Sequence, residues 1–247
     1  MRPLIALFLA CLCYGQQPEF EVASIKPSAP DARGSNFNRK PGGGLDALNV
    51  TLKDMITFAY NIRDQQLIGA TGWMENEHYD VIARPTQNDN PTNAKRSFEA
   101  DFNPLQLKLQ AVLTDRFSLK VHKETRELPV YFLVPAKGGT KLTPSTSDNH
   151  RLNNRERLVV CRKCTMKQLA DNTLTYKTGR TVIDKTGLNG EYDFDLKYLE
   201  DAAIAAGDTS APDFLTALRQ QLGLVLEPAK APVEVLVIDH AEKATLN

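Results

Sequence analysis

The sequence has no net charge, few cysteines and a single tryptophan. Lysine and arginine together number 30, as do aspartate and glutamate, so the formal net charge is zero. General nucleic-acid binders and polybasic membrane-surface proteins carry an excess of positive charge, which is missing here. We therefore predict no nucleic-acid partner. Beyond residue 15 no apolar run approaches the roughly 20 residues of a membrane-spanning helix, so we also predict no transmembrane segment after this point.

The beginning of the chain has the pattern of a secretory signal peptide. Arg2 precedes an apolar stretch at residues 4–12, which gives way to small and polar residues. A positive charge, a short apolar core and a small residue at the cleavage site are typical of such peptides. We predict a signal peptide over residues 1–15 and an exported protein, periplasmic or extracellular. The alternative is a loose lipobox that would anchor the mature chain through a lipid on Cys11.

The rest of the sequence contains the same landmarks twice. A threonine N-cap and an amphipathic helix occur at Thr51 and again at Thr165, each followed by a Thr-Gly turn, a strand, a second helix and a closing strand. Because these landmarks return in one order at nearly constant distances, we predict two tandem copies of one unit. The inward helix residues after the two caps are predicted to be Leu52, Met55, Ile56, Ala59 and Tyr60, and Met166, Leu169, Ala170, Thr173 and Leu174.

Each copy is predicted to be a small α+β unit with the order β-α-β-β-α-β-β, in which two helices pack on a mixed sheet. The first unit covers residues 18–140, with an irregular insertion or an extra hairpin near residues 30–46. Residues 141–154 are predicted to be a polar linker. The second unit covers residues 155–242 and opens with a strand at residues 157–160.

Four phrases of the sequence are similar to a known family. They are FEVASIKPS at residues 20–28, DRF at 115–117 with VHKETRELPVY at 121–131, DKTGL at 184–188, and APVEVLVIDH at 231–240. They resemble the secreted soil-acidobacterial family of unknown function. Some members of that family are attached to membrane-bound sensor metallopeptidases. The resemblance therefore implies an exported protein with a binding or sensing role, and it assigns no activity.

The predicted order of strands and helices also resembles the short N-terminal domains of secretins and TonB-dependent receptors. Those domains dock protein partners in the periplasm. Since fold alone does not determine function, the likeness implies a binding module and nothing finer. Neither resemblance supplies a catalytic residue.

Cys161 and Cys164 are the strongest candidate site. They are the two cysteines left after removal of the signal peptide, and in an exported protein such a pair favours a structural disulfide. The alternative is a thiol-disulfide oxidoreductase, because the pair is predicted to lie between a strand ending at Val160 and a helix capped by Thr165, where a thiolate would be stabilised. A reduced or metal-bound pair is a third alternative. The disulfide is preferred because Cys164 falls where the first copy has Val50.

The other candidate residues receive structural interpretations. The four histidines are scattered and lack metal-ligand spacing, so we predict no metal site. Glu75, Glu77 and Asp80 cluster before a strand, but Asp80 recurs as Asp193 at the same turn of the second copy. This recurrence predicts a role in the fold, in which the carboxylate bonds backbone amides. The glycine-rich segments lack the spacing of phosphate and dinucleotide loops, so no cofactor is predicted.

Trp73 is a candidate interaction anchor, because an exposed indole can hold a partner. The second copy has Leu188 at this place, which favours a half-buried packing position instead. The sequence contains no recognisable set of catalytic residues. We therefore predict a non-enzymatic periplasmic binding or protein-interaction module. A sensing role is predicted if the protein acts as the resemblance to the secreted family implies. Its partner would be an unknown protein or small ligand of the cell envelope.

Overall fold

The computed structural model describes residues 20–84, 104–155 and 157–244. The predicted signal peptide, with Cys11, lies outside these residues. The chain divides into two compact units. Unit 1 comprises Met1–His122 and Leu236–Asn247, and unit 2 comprises Lys123–Val235.

The described residues contain helices together with antiparallel and parallel strand pairs, so the predicted α+β class is confirmed. The strands are β1 Val22–Pro27, β2 Asn36–Arg39, β3 Leu45–Thr51, β4 Leu67–Ile68, β5 His78–Arg84, β6 Lys120–Pro135, β7 Thr143–Pro144, β8 Arg151–Arg155, β9 Leu158–Cys164, β10 Val182–Asp184, β11 Tyr192–Lys197 and β12 Leu224–His240. The helices are α1 Leu52–Ala59, α2 Trp73–Asn76, α3 Pro104–Phe117, α4 Met166–Leu169, α5 Thr175–Thr178, α6 Asp201–Ala205 and α7 Phe214–Ala217. In this part of the chain no helix is both long and apolar enough to cross a membrane.

Sheet A of unit 1 is antiparallel and has the strand order β1-β5-β3-β2. Along β5 the side chains of Tyr79, Val81 and Ala83 are buried, whereas Ile82 between them and Arg84 after them are exposed. This alternation is typical of a strand with one face on a core and the other in solvent. The buried face joins a core to which α1 and α3 also contribute.

Helix α1 begins where its sequence predicts. The Thr51 hydroxyl accepts the Asp54 backbone N–H at 3.1 Å, and the Asp54 carboxylate accepts the Thr51 N–H at 3.0 Å, which completes a capping box. The helix buries four of the five predicted inward residues, and the fifth, Tyr60, follows its last residue and is partly buried. At its other end, Gln106 and Gln110 of α3 donate side-chain amides to the carbonyls of residues 58 and 59, at 3.1 and 2.8 Å. The two helices are therefore joined by polar as well as apolar contacts.

Sheet B of unit 2 is antiparallel and has the strand order β7-β11-β9-β8. Its first, second, third and last strands in chain order occupy the same places as those of sheet A. This correspondence supports the duplication inferred from the sequence, which remains a proposal about the origin of the two units.

The helices of unit 2 contain π turns. Helix α4 continues through a π turn at Ala170–Leu174 into α5, and α7 continues through another at Leu218–Leu222. Both segments end at a glycine with left-handed backbone, Gly179 and Gly223. The predicted inward face of the first of these helices, from Met166 to Leu174, is buried.

Two long strands connect the units. Strand β6 begins in unit 1 and ends in unit 2, and β12 runs from unit 2 back into unit 1. In unit 1, β12 pairs in parallel with β4, where Leu236 stands opposite Leu67. In unit 2, β6 pairs in parallel with β10, where Tyr131 stands opposite Val182. The compact units consequently do not follow the predicted boundaries at residues 140 and 155.

Residues 30–46 contribute β2 and the start of β3, which pair as the extra hairpin that was one of the two predicted alternatives. Two other predicted segments have a different structure. The predicted linker at 141–154 contains β7 and most of β8. These are edge strands, and a polar edge strand resembles a loop in sequence. The predicted opening strand at 157–160 belongs to β9, which lies inside sheet B and corresponds to β3.

Candidate functional site

The two candidate cysteines are joined by a disulfide inside strand β9. Cys161 and Cys164 are both fully buried, with 0% of their surface exposed, and their Cα atoms are 5.9 Å apart. The predicted position between a strand ending at Val160 and a helix is wrong, because β9 continues through Cys164. Both side chains point into the core of unit 2, so neither sulfur is accessible to a substrate.

The disulfide brackets a β-bulge. Arg162 and Lys163 of β9 stand opposite the single residue Asp193 of β11. Lys163 has a left-handed backbone, with φ of 53°, and donates its N–H to the Asp193 carboxylate at 2.7 Å. The Ser147 hydroxyl donates to the same carboxylate, also at 2.7 Å. Hydrogen bonds from the Ser145 hydroxyl, the Lys163 N–H and the Ser147 hydroxyl hold the pKa of Asp193 well below its usual range.

Unit 1 contains the same bulge without cysteines. Leu48 and Asn49 of β3 stand opposite Asp80 of β5, and Asn49 has a φ of 52°. The Asp80 carboxylate accepts the Asn49 N–H at 2.8 Å and the Ser28 hydroxyl at 2.7 Å. The prediction that Asp80 and Asp193 bond backbone amides is therefore confirmed.

The other acidic candidates form ion pairs within unit 1. Glu75 pairs with Lys53 at 3.1 Å, and Glu77 pairs with Lys243 at 2.5 Å. Glu77 also accepts the Tyr79 hydroxyl at 3.1 Å. Burial, together with this hydrogen bond, raises the pKa of Tyr79 to about 12. The structure does not bring these residues together as an acid-base pair facing a cleft.

Trp73 lies at the start of α2 and is half-buried. Its ring stacks against Phe117 of α3, with 6.5 Å between ring centroids. Leu188, which the sequence predicts to correspond to Trp73, is also partly buried and packs against the core of unit 2. A packing role accounts for both residues. Among the described side chains, no group of three or more His, Cys, Asp or Glu has an arrangement that could hold a metal ion.

Unit 2 has an open pocket that sequence reasoning missed. Its volume is about 400 Å³, within the range of small-ligand sites. The apolar part of its lining consists of Tyr131 of β6, Leu199, Phe214 and Leu215 at the start of α7, and Leu226 of β12. Leu199 is buried, whereas Leu215 is 54% exposed. Tyr176 and Ile204 of unit 2, which do not line the pocket, are also exposed, at 67% and 40%.

The charged part of the pocket is mainly acidic. The Lys177 ammonium contacts Glu200 at 2.6 Å and lies over the Tyr198 ring. Burial lowers the pKa of Lys177, but the hydrogen bonds with Glu200 and Tyr198 outweigh it, so the net shift is upward and the ammonium stays charged. Asp201 and Asp213 also line the pocket, and neither forms an ion pair with any described residue. Two acidic residues therefore line the pocket without an ion-pair partner among the described residues, and the Asp213 carboxylate also caps α7 by accepting the Thr216 N–H at 2.9 Å.

Two of the segments that line the pocket lie next to π turns in the sequence. The turn at Ala170–Leu174 precedes Lys177, and the turn at Leu218–Leu222 follows Leu215. Such turns occur frequently at functional sites, because the extra residue shifts the neighbouring side chains out of the regular helix pattern. Unit 1 also has pockets of about 310 and 460 Å³, but the wall of the first has two arginines and two aspartates and so no charge excess, and the second is bounded by Ala244, next to the end of the described chain.

The model of a protein family of unknown function, DUF3738, matches residues 53–241, about three quarters of the chain. The chain belongs to this family. The match agrees with the predicted membership of an uncharacterised family, and the finer likenesses to secreted acidobacterial proteins and to secretin or receptor domains stay predictions. No curated protein and no solved structure matches the chain.

The DUF3738 match covers every lining residue of the unit 2 pocket, although the family description assigns no site. Sequence reasoning missed the pocket because its walls come from five separate segments of the chain. One signal was available: Leu215 is an apolar residue on the outward side of a helix whose inward residues are Ala217, Leu218 and Leu222.

Proposed function

We propose that this protein is an exported, non-enzymatic binding module, and that the unit 2 pocket is its docking site. The observation that carries the proposal is a pocket of about 400 Å³, lined by apolar and acidic residues, in which Asp201 and Asp213 form no ion pair with a described residue. Large exposed apolar side chains around a pocket are typical of interaction sites. A partner that covers Leu215 would remove the exposed part of this apolar side chain from water.

The charges of the pocket favour a basic partner. An apolar floor accepts an aliphatic or aromatic side chain, and the two carboxylates accept an ammonium or guanidinium group beside it. We infer that the occupant is a segment of a partner protein in which a lysine or arginine adjoins an apolar residue. A sensing role in the cell envelope, as the resemblance implies, would use the same contact.

Export has two independent supports. The first is the predicted signal peptide over residues 1–15. The second is the Cys161–Cys164 disulfide, because disulfides persist in the periplasm and outside the cell and are rare in the reducing cytosol. The location proposed for the mature chain is therefore periplasmic or extracellular.

The burial of the disulfide favours binding over redox catalysis. An oxidoreductase needs one sulfur that a substrate thiolate can attack, and both sulfurs of this pair lie in the core of unit 2. The helix that follows begins only after Thr165, so the pair is not held at an exposed helix start. Nothing in the surroundings of Cys161 favours the alternative prediction of thiol-disulfide exchange.

Fluorescence anisotropy with labelled peptides tests the docking site. The probes are two peptides of equal length, Arg-Phe-Arg-Leu and Glu-Phe-Glu-Leu, titrated with the mature chain. We expect the basic peptide alone to bind, and its binding to weaken about tenfold in Asp201→Asn with Asp213→Asn. Asparagine preserves the cap of α7, which Asp213 provides to the Thr216 N–H at 2.9 Å.

The matched control is Asp171→Asn, which removes an exposed carboxylate of unit 2 that contacts Lys167 and lies outside the pocket. This variant is expected to bind the basic peptide as the wild type does. Equal binding of both peptides, or an equal loss in the control and in the pocket variant, would show that the pocket is not the site.

A further inference from the structure

We propose that the Cys161–Cys164 disulfide is a conformational lock that holds Lys163 in its left-handed backbone conformation. In unit 1 the side chain of Asn49 performs the same task without a disulfide. The proposal concerns the stability of one bulge, and it stands whether or not the pocket binds a basic segment.

The two bulges require the same unusual backbone from different residues. The angle φ is 52° at Asn49 and 53° at Lys163. This region is unfavourable for residues that carry a Cβ, and asparagine adopts it more readily than most because its short polar side chain bonds nearby backbone. Lysine has no such advantage, so its conformation needs support from its surroundings.

The side chains of the two residues anchor the bulges unequally. The Asn49 amide donates to the carbonyl of Gly34 at 2.9 Å. The Lys163 ammonium reaches the carbonyl of Asp148 at 3.5 Å, the limit of a hydrogen bond. Both backbone N–H groups are held by an aspartate. The side chain of the left-handed residue is therefore the weaker anchor in unit 2, although there His150 Nδ1 also contacts the Lys163 carbonyl oxygen at 3.0 Å.

The disulfide lies where it can replace that anchor. Cys161 and Cys164 flank the bulge at the positions that Ala47 and Val50 occupy in unit 1, and all four residues are fully buried. The cross-link fixes the separation of the two ends of the segment that contains Lys163. It therefore limits the conformations that this segment can reach when the bulge opens.

The lock makes one bulge sensitive to reduction and leaves the other insensitive. A dithiol such as dithiothreitol delivers two electrons and two protons, so the S–S bond breaks, each sulfur becomes a thiol, and the dithiol closes to its own disulfide. The bulge of unit 1 contains no cysteine.

Hydrogen–deuterium exchange of the full mature chain, followed by mass spectrometry, measures both bulges in one sample. Peptides over residues 158–165 report on unit 2, and peptides over residues 45–52 report on unit 1. In Cys161→Ala with Cys164→Val, which copies the side chains of unit 1, we expect exchange at the unit 2 bulge to be about tenfold faster. Adding Lys163→Asn is expected to restore slow exchange, and unit 1 is expected to be unchanged throughout.

The reciprocal change supplies the control. Asn49→Lys is expected to speed exchange of residues 45–52, and Ala47→Cys with Val50→Cys, oxidised, is expected to slow it again. Wild-type chain refolded in reductant provides the same measurement if the double variant folds poorly. Unchanged exchange at the unit 2 bulge after loss of the disulfide, or no rescue by Lys163→Asn, overturns the proposal.

Discussion

The Asp193 carboxylate accepts the backbone N–H of Lys163 at 2.7 Å, across the bulge where β9 has one residue more than β11. A bulge removes an amide from the ladder of strand hydrogen bonds, and a partly buried amide without a partner is unfavourable. A carboxylate is well suited to this position because its charge strengthens each bond that it accepts. Asp80 makes the same contact in unit 1.

Replacement of Asp193 by asparagine is expected to destabilise the protein at neutral pH. Hydrogen bonds from Ser145, Lys163 and Ser147 lower the pKa of Asp193 in the folded chain. The stability that they provide is complete above the unfolded pKa of about 3.9, and it is lost as the pH falls toward the lower folded value. Urea unfolding at pH 7 and pH 3 is expected to show a smaller difference from wild type in acid. A difference that grew in acid would contradict this assignment, and Asp171→Asn is the surface control.

Gly223 is predicted to be the least replaceable glycine of unit 2. Its φ is 66°, and a Cβ there would overlap the carbonyl oxygen of Gly139 and lie 2.9 Å from Cα of Thr140. Gly223→Ala is expected to lower the free energy of unfolding by about 2–4 kcal/mol. Gly179 has a φ of 64° with no atom within 4 Å of a new Cβ, so Gly179→Ala is expected to cost about 1 kcal/mol. If urea titrations gave the same loss of unfolding free energy for Gly223→Ala and Gly179→Ala, the close approach of Gly139 and Thr140 to Gly223 would not matter for stability.

The two threonine caps are expected to contribute equally. Thr51 and Thr165 each accept the N–H three residues later, at 3.1 and 3.2 Å, and each completes a capping box. Either Thr→Ala substitution is expected to cost about 1 kcal/mol in the free energy of unfolding, and Thr→Ser is expected to cost less. A much larger loss of unfolding free energy for one of the two Thr→Ala variants, in thermal or urea unfolding, would show that the two caps do not contribute equally to stability.

The single tryptophan provides a probe of unit 1. Trp73 stacks on Phe117, so unfolding of this unit is expected to change the intrinsic fluorescence. Trp73→Leu, which copies Leu188, is expected to lower the free energy of unfolding by less than about 2 kcal/mol. It is also expected to leave binding of the basic peptide to unit 2 unchanged. Loss of that binding in a folded Trp73→Leu protein would instead assign the indole to the interface.

The helices could be predicted because their signals are local. A cap such as Thr51 and an apolar spacing of three and four residues lie within one short window, and burial followed this pattern in both units. The recurrence of Asp80 as Asp193 was equally informative, because each carboxylate has a backbone partner in the structure.

The sheet edges and the pocket could not be predicted for physical reasons. Strand β8 is polar along its length because it lies at an edge, so its sequence resembles a linker. Cys161 and Cys164 face the same side of β9 only because a bulge adds one residue between them. The pocket joins Tyr131, Lys177 and Phe214, which come together only when unit 2 has folded.

Strands β6 and β12 each begin in one unit and end in the other, and this determines which unit can be completed first during synthesis. Leu236 belongs to the core of unit 1, yet it follows every residue of unit 2 in the chain. A protein made from its N-terminus therefore has the whole of unit 2 available before unit 1 receives its closing strand. A chain stopped after Val235 would contain all of unit 2 and an unfinished unit 1, so the first unit to be translated is the last that can be completed.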